Sequence, residues 1–258
     1  MPSAAVISEQ PLRAARRMLE RGRANLPIVV ATAPIASDDP DALFFYAKTD
    51  EAGFHRLWAA ALFHRALDGY DATLQLWESA LDTEARAHCR VAFEHLLSFA
   101  WVLADDGDIT RALRIARYGT GFVETQTREM ARWTNLCEPT PYQVGLNVKV
   151  DLTTLTPPPN PGDLCGLLDS ELLPRLQAVG SMSNSFSAWY SYLYRGASAF
   201  VHPSPAGIAP LLERAPRTLQ IAPSRSHAPR LVEIVAEQLR SALLIAASNA
   251  AWLIEDVA

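Results

Sequence analysis

Lysine is almost missing from this chain. Only Lys48 and Lys149 stand against 21 arginines, and the formal net charge is -5. We read the arginine bias as the coding habit of a GC-rich, bacterial genome. A net acidic chain is not built to grip long nucleic acid over its whole surface, although a local basic pocket is compatible with it. Cysteine is also scarce. Cys89, Cys137 and Cys165 are odd in number and lack metal-ligand spacing, so a disulfide framework is not expected and a reducing compartment fits better. No apolar run approaches the roughly 20 residues of a membrane span. Leu26 to Ala36 follows Arg16 and Arg17 as a signal core would, but Pro27 and Pro34 interrupt it. The expectation is a cytoplasmic protein with no membrane partner.

Several chemistries lack their signatures. There is no GxGxxG or Walker pattern, no HExxH, no CxxC and no Gly-x-Ser-x-Gly elbow. His55 and His64 share no helical face. Asp105-Asp106-Gly107-Asp108 is similar to the acidic magnesium motif of terpene cyclases, but no second metal motif follows, and it reads as a helix-capping turn. No metal and no cofactor is expected.

What is present is helical periodicity. Residues 9–24 form an Arg-rich helix with a solvated face. Pro27 to Ala33 reads as a strand or extended arm. Asp50 to Ala80 is a long helical pattern with Leu57, Ala61, His64, Leu67, Leu74 and Trp77 at helical intervals and a break at Gly69. Asp82 caps a helix to about Ala104, whose stripe is Ala85, Cys89, Ala92, Phe93, Leu96, Ala100 and Leu103. A third runs from Ile109 to about Asn135. Glu138 to Pro161 is a Pro-rich excursion holding a strand at Gln143 to Leu152. A helix over Leu164 to Val179 is broken by Pro174. Another starts at Ser183 and stops at Pro203. Thr218 to Ala222 reads as a short strand. A last amphipathic helix covers Pro229 to Glu255, with Leu231, Val235, Leu239, Ala242, Leu243, Ala246 and Ala250 inside. The pattern implies an all-α bundle with long Pro-rich connections and at most a minor β hairpin. Residues 1–40 form an N-terminal arm and 41–258 a single helical domain, with the excursion at 138–162.

The segment from Asn184 to Ser204 carries the candidate site. At 3.6 residues per turn, Asn184, Ser187, Ser191, Arg195, Ser198 and His202 share one face, opposite Phe186, Tyr190, Leu193, Ala197 and Phe200 with Val201. Arginine offers a fork of donors for phosphate, and histidine moves protons near neutral pH. Seven residues separate Arg195 from His202, about 10 Å of helical rise. The same residues serve equally as a cap and a carboxylate partner. Arg90 and Glu94, four apart and flanked by Cys89, Phe93 and Leu96, read as a half-buried pair. It either clamps two helices together or orients Arg195 or His202. Tyr190, Tyr192 and Tyr194 with Trp189 read as core aromatics or as a stacking surface for bases.

Two resemblances attach to these residues. The stretches Arg90-Val91-Ala92-Phe93-Glu94 through Leu103, and Tyr194 through Ser204 with its Tyr-x3-Ser-x3-His-Pro-Ser spacing, resemble a bacterial helical family of unassigned function. Arg195, six residues and then His202 resemble the HEPN superfamily. Gly196 departs from its usual polar residue after the arginine. The HEPN resemblance implies metal-independent RNA or nucleotide phosphodiester cleavage of the toxin or defence type, in a cleft shared by a homodimer. Arg195 would bind phosphate and His202 would act as acid and base. Arg90 and Glu94 would support them, and Tyr194, Ser191, Ser198 and Asn184 would supply polar contacts. Two further readings stand beside it. One is a non-catalytic module binding a nucleotide, an anion or a protein partner. The other is a small-molecule biosynthetic enzyme with a pocket lined by Trp58, Trp77, Trp101, Trp133 and Trp189.

Overall fold

The computed structural model describes residues 9–25, 50–104, 109–115, 156–178, 184–195, 212–215, 218–221 and 229–254, with the backbone alone for Arg195, residues 212–215 and 218–221, and Pro229. It is an all-α arrangement of packed helices with one small hairpin, as the periodicity implies. The expected strand at 143–152, most of the Pro-rich excursion, the Asp105–Asp108 turn and the segment from Gly196 to Pro203 lie outside the described residues.

Two long helices make the frame. We label Glu9–Arg23 α1, Glu51–Glu78 α2 and Asp82–Leu103 α3. Asp50 caps α2 by accepting from the Gly53 N–H at 2.9 Å. Gly69 does not break α2. A Cβ there would stand 2.7 Å from the Ala92 Cβ and 3.1 Å from its Cα, so the glycine lets the backbones of α2 and α3 come together. The turn between them is tight. Leu81 N–H donates to the Leu76 carbonyl and Ala80 N–H to that of Trp77, a Schellman closure that holds Ala80 at φ 60. Asp82 is not the cap of α3. Leu81 holds that position, and the Asp82 carboxylate accepts from Arg86 one turn on, at 2.9 Å.

The expected stripe of α3 is buried throughout. That of α2 is only partly so: Ala61 is exposed, while Phe54, Phe63, Ala66 and Tyr70 are fully buried. The cause is that α2 packs against more than one neighbour, so its apolar surface is wider than a single stripe.

Residues 109–115 are helical and are labelled α4. Pro161–Glu171 is α5, capped by Asn160, and Leu173–Ala178 is α6. The break between them falls at Leu172, two residues before Pro174, whose ring cannot follow an unbroken turn. Leu212–Ala215 (β1) and Thr218–Ile221 (β2) pair antiparallel, Leu212 opposite Ile221. Pro229–Asn249 is α8, and every expected inner residue of it is buried; α7 belongs to the site below. The thiols of Cys89 and Cys165 sit inside, and burial pushes each up to about 12.

The Arg-rich helix α1 buries Ala15, Leu19 and Gly22 and docks on α2 and α8. Arg16 and Arg23, two turns apart, grip the two oxygens of Asp71 from α2. Arg16 also reaches Glu78, and Arg23 reaches Asp68, each at 2.7 Å. Burial would raise the Asp71 carboxyl, but bonds from Arg23 and Gln75 and the charges of Arg23 and Arg16 hold it below the usual range.

Candidate functional site

The site segment does not continue as one regular α-helix. Phe186–Trp189 forms a short α turn, α7, and Tyr190–Arg195 continues it as a π-helical segment. The i→i+5 pattern adds a residue to the turn, so the polar row drawn at 3.6 residues per turn shifts out of register. Ser191 is exposed and Ser187 half-buried, while Phe186, Trp189 and Leu193 enter the core. Trp189 is a core residue, packed edge-on against Phe93 and Phe186.

The start of α7 is fixed from outside the segment. Asp169 of α5 accepts the backbone N–H of Phe186 at 2.7 Å and that of Ser187 at 3.1 Å. Ser185 accepts from Ala188 at 3.1 Å. These bonds satisfy the first donors that every helix leaves unpaired. Asn184 precedes the cap rather than sharing the helix face, and donates to Glu237 of α8 at 2.7 Å.

From that anchor the π segment presents its tyrosines to arginines. Tyr190 and Tyr194 stack at 4.8 Å with planes 21° apart. The Arg90 guanidinium of α3 lies 4.0 Å over Tyr194 and also donates through Nε to Glu94 at 3.3 Å. Arg230, at the start of α8, lies 5.2 Å over Tyr192. Arg86 is a third cation. Burial lowers it, but its bonds to Asp82 and to the Tyr192 hydroxyl raise it further, keeping it charged. Each contact places a cation on the negative face or lone pair of a tyrosine.

The structure therefore brings together Arg90, Glu94 and Tyr194 of the expected residues. Ser191 sits on the same segment, and Asn184 is committed to Glu237. Arg195 ends the π segment, but its side chain, like Ser198 and His202, lies outside the described residues. Glu94 pairs with Arg90 on its own helix. Sequence reasoning missed Asp169, Arg86 and Arg230. Asp169 lies 17 residues from its partner and carries no local signal. The Arg86–Asp82 spacing was available as an i,i+4 pair.

Among the described residues no group of His, Cys, Asp and Glu could hold a metal ion, and no helix is long and apolar enough to cross a membrane. A pocket of about 430 Å³ lies elsewhere, between α1 and α8, and none of the described tryptophans lines it. No family model matches this chain, and no curated protein or solved structure is similar to it.

Proposed function

We propose that the Tyr190–Arg195 segment, with Arg86, Arg90 and Arg230, is a recognition surface for a nucleotide or a short RNA strand, and that the chain is a helical binding module. The observation that carries this reading is Arg230. It is exposed, lies over the Tyr192 ring and has no carboxylate ion-pair partner among the described residues. An arginine so placed has its fork open to phosphate, and the half-buried tyrosines beside it are of the residue type on which bases stack. The test is thermal stabilisation by nucleotides and by a mixed RNA pool. Stabilisation without turnover supports the module, and no stabilisation by either overturns it.

A second reading keeps the chemistry of the HEPN resemblance: metal-independent cleavage of RNA, with Arg195 on the phosphate, His202 as acid and base, and two protomers sharing a cleft. The position of Arg195 favours it, directly after the tyrosine that Arg90 covers. Cleavage of RNA in EDTA by wild type, and none by His202→Ala, supports this reading. Equal products from both proteins, or none, overturn it.

A further inference from the structure

Helix α1 treats its arginines in two ways. On one side, Arg13 pairs with Glu9, Arg16 with Asp71 and Glu78, and Arg23 with Asp68 and Asp71. On the other side, Arg17 and Arg21 have no ion-pair partner among the described residues, and Glu20 between them bonds to neither. Both open into the pocket between α1 and α8.

The walls of that pocket follow the helical repeat. From α1 come Arg17, Met18 and Arg21, and from α8 come Arg240, Leu243 and Leu244, each set falling on one face. Two alanines and Ile254 also line it, and among the described residues no acidic side chain contributes. Arg240 is likewise exposed and unpaired among the described residues. The carboxylate nearest along its helix, Glu237, is taken by Asn184. The result is an apolar floor of Met18, Leu243 and Leu244 under three cations that nothing described neutralises.

Three guanidinium groups with no ion-pair partner among the described residues, set beside an aliphatic cavity, match an anion with an apolar tail. An inorganic anion alone would leave the floor wet, and a neutral hydrocarbon would leave the cations unmatched. The volume of about 430 Å³ falls in the range of small-molecule sites and is too small for a folded partner. We infer that the α1–α8 pocket binds a single-chain amphiphile with an anionic head, such as an aliphatic carboxylate or alkyl phosphate. The tail would lie on Met18, Leu243 and Leu244, and the head would sit among Arg17, Arg21 and Arg240. This site shares no residue with the tyrosine cluster and stands independently of the function proposed there.

Calorimetric titration tests it with decanoate, decyl phosphate, decanol and inorganic phosphate, all on the full chain. The expected result is saturable binding of decanoate or decyl phosphate. Decanol and inorganic phosphate should each bind about tenfold or more weakly. Which anion binds tighter identifies the head. The exposed-site variant Arg17→Ser/Arg240→Ser should lose about tenfold in affinity while keeping the wild-type circular dichroism and melting temperature. Leu244→Gln should weaken the amphiphile but not the residual phosphate. Binding of decanol as tight as decanoate overturns the role of the arginines, and binding of phosphate as tight as decyl phosphate overturns the role of the floor. Failure of every probe overturns the site. Capture by anionic phosphatidylglycerol vesicles without binding of any free amphiphile assigns the arginines to a lipid surface and also overturns it.

Discussion

Arg90 on α3 and Tyr194 on the π segment are joined face to face, the guanidinium carbon 4.0 Å from the ring centroid. Arg90 is mostly shielded from solvent, with 17% of its side chain exposed, so its charge acts on the ring at reduced screening. The contact crosses from one helix to another, unlike the Arg90–Glu94 pair, which lies within α3. A double-mutant cycle with Arg90→Met and Tyr194→Leu should return a coupling of about 1 kcal/mol in urea unfolding. A coupling indistinguishable from zero would show the two side chains to be merely adjacent.

Asp169 holds the first two N–H groups of α7, and nothing else described satisfies those two donors. Asp169→Ala should cost about 1–2 kcal/mol of stability, and Asp169→Asn should recover part of it by keeping one acceptor. Because α7 leads directly into the π segment, the same variant should weaken nucleotide binding. Wild-type stability in Asp169→Ala would show that the cap is dispensable.

The α2–α3 hairpin gives two opposite expectations. Gly69→Ala drives a Cβ into Ala92 and should destabilise by about 1–3 kcal/mol. Ala92→Gly in the same chain should relieve part of that loss. Ala80 carries φ 60, a left-handed conformation that disfavours a Cβ, so Ala80→Gly should stabilise by about 1 kcal/mol. Urea midpoints of the variants decide both.

Two imidazoles set an acid limit on stability. Burial lowers His64, with Arg23 adding to this and Asp68 opposing it; burial and then Arg65 lower His95. The buried Nε2 of His64 has no hydrogen-bond partner among the described residues. A histidine lowered in the folded state takes up its proton first in the unfolded chain. Its contribution is therefore complete above the ordinary imidazole value of about 6.5 and is lost as pH falls through the lowered folded value. Asp71, held low by its arginines, adds a second loss at more acid pH, below about 4. Unfolding free energy should decline from pH 7 to pH 5, and His64→Gln/His95→Gln should flatten that decline. A slope unchanged by the double substitution would assign it to other groups.

The helices were legible on α3 and α8, where every inner residue expected from the apolar spacing is buried. They were less legible on α2, where Ala61 of the expected stripe is exposed and Phe54, Phe63 and Tyr70 outside it are buried. The break near Pro174 followed from its ring. The π turn was hidden, because its extra residue per turn leaves the composition of Tyr190–Arg195 unchanged and shows only in backbone bonding. Arg90, Glu94 and Tyr194 were found from spacing and residue type. Asp169 and Arg230 were not, because each reaches the segment across a long stretch of chain.

The most direct test of the recognition surface is the fluorescence anisotropy of a labelled RNA pool in EDTA. Wild type would be compared with Arg230→Ala, and with Arg175→Ala on α6 as a surface-arginine control. Binding by wild type and by Arg175→Ala is expected, with about a tenfold loss in Arg230→Ala. Equal affinity in all three proteins, or no binding by wild type, would contradict it.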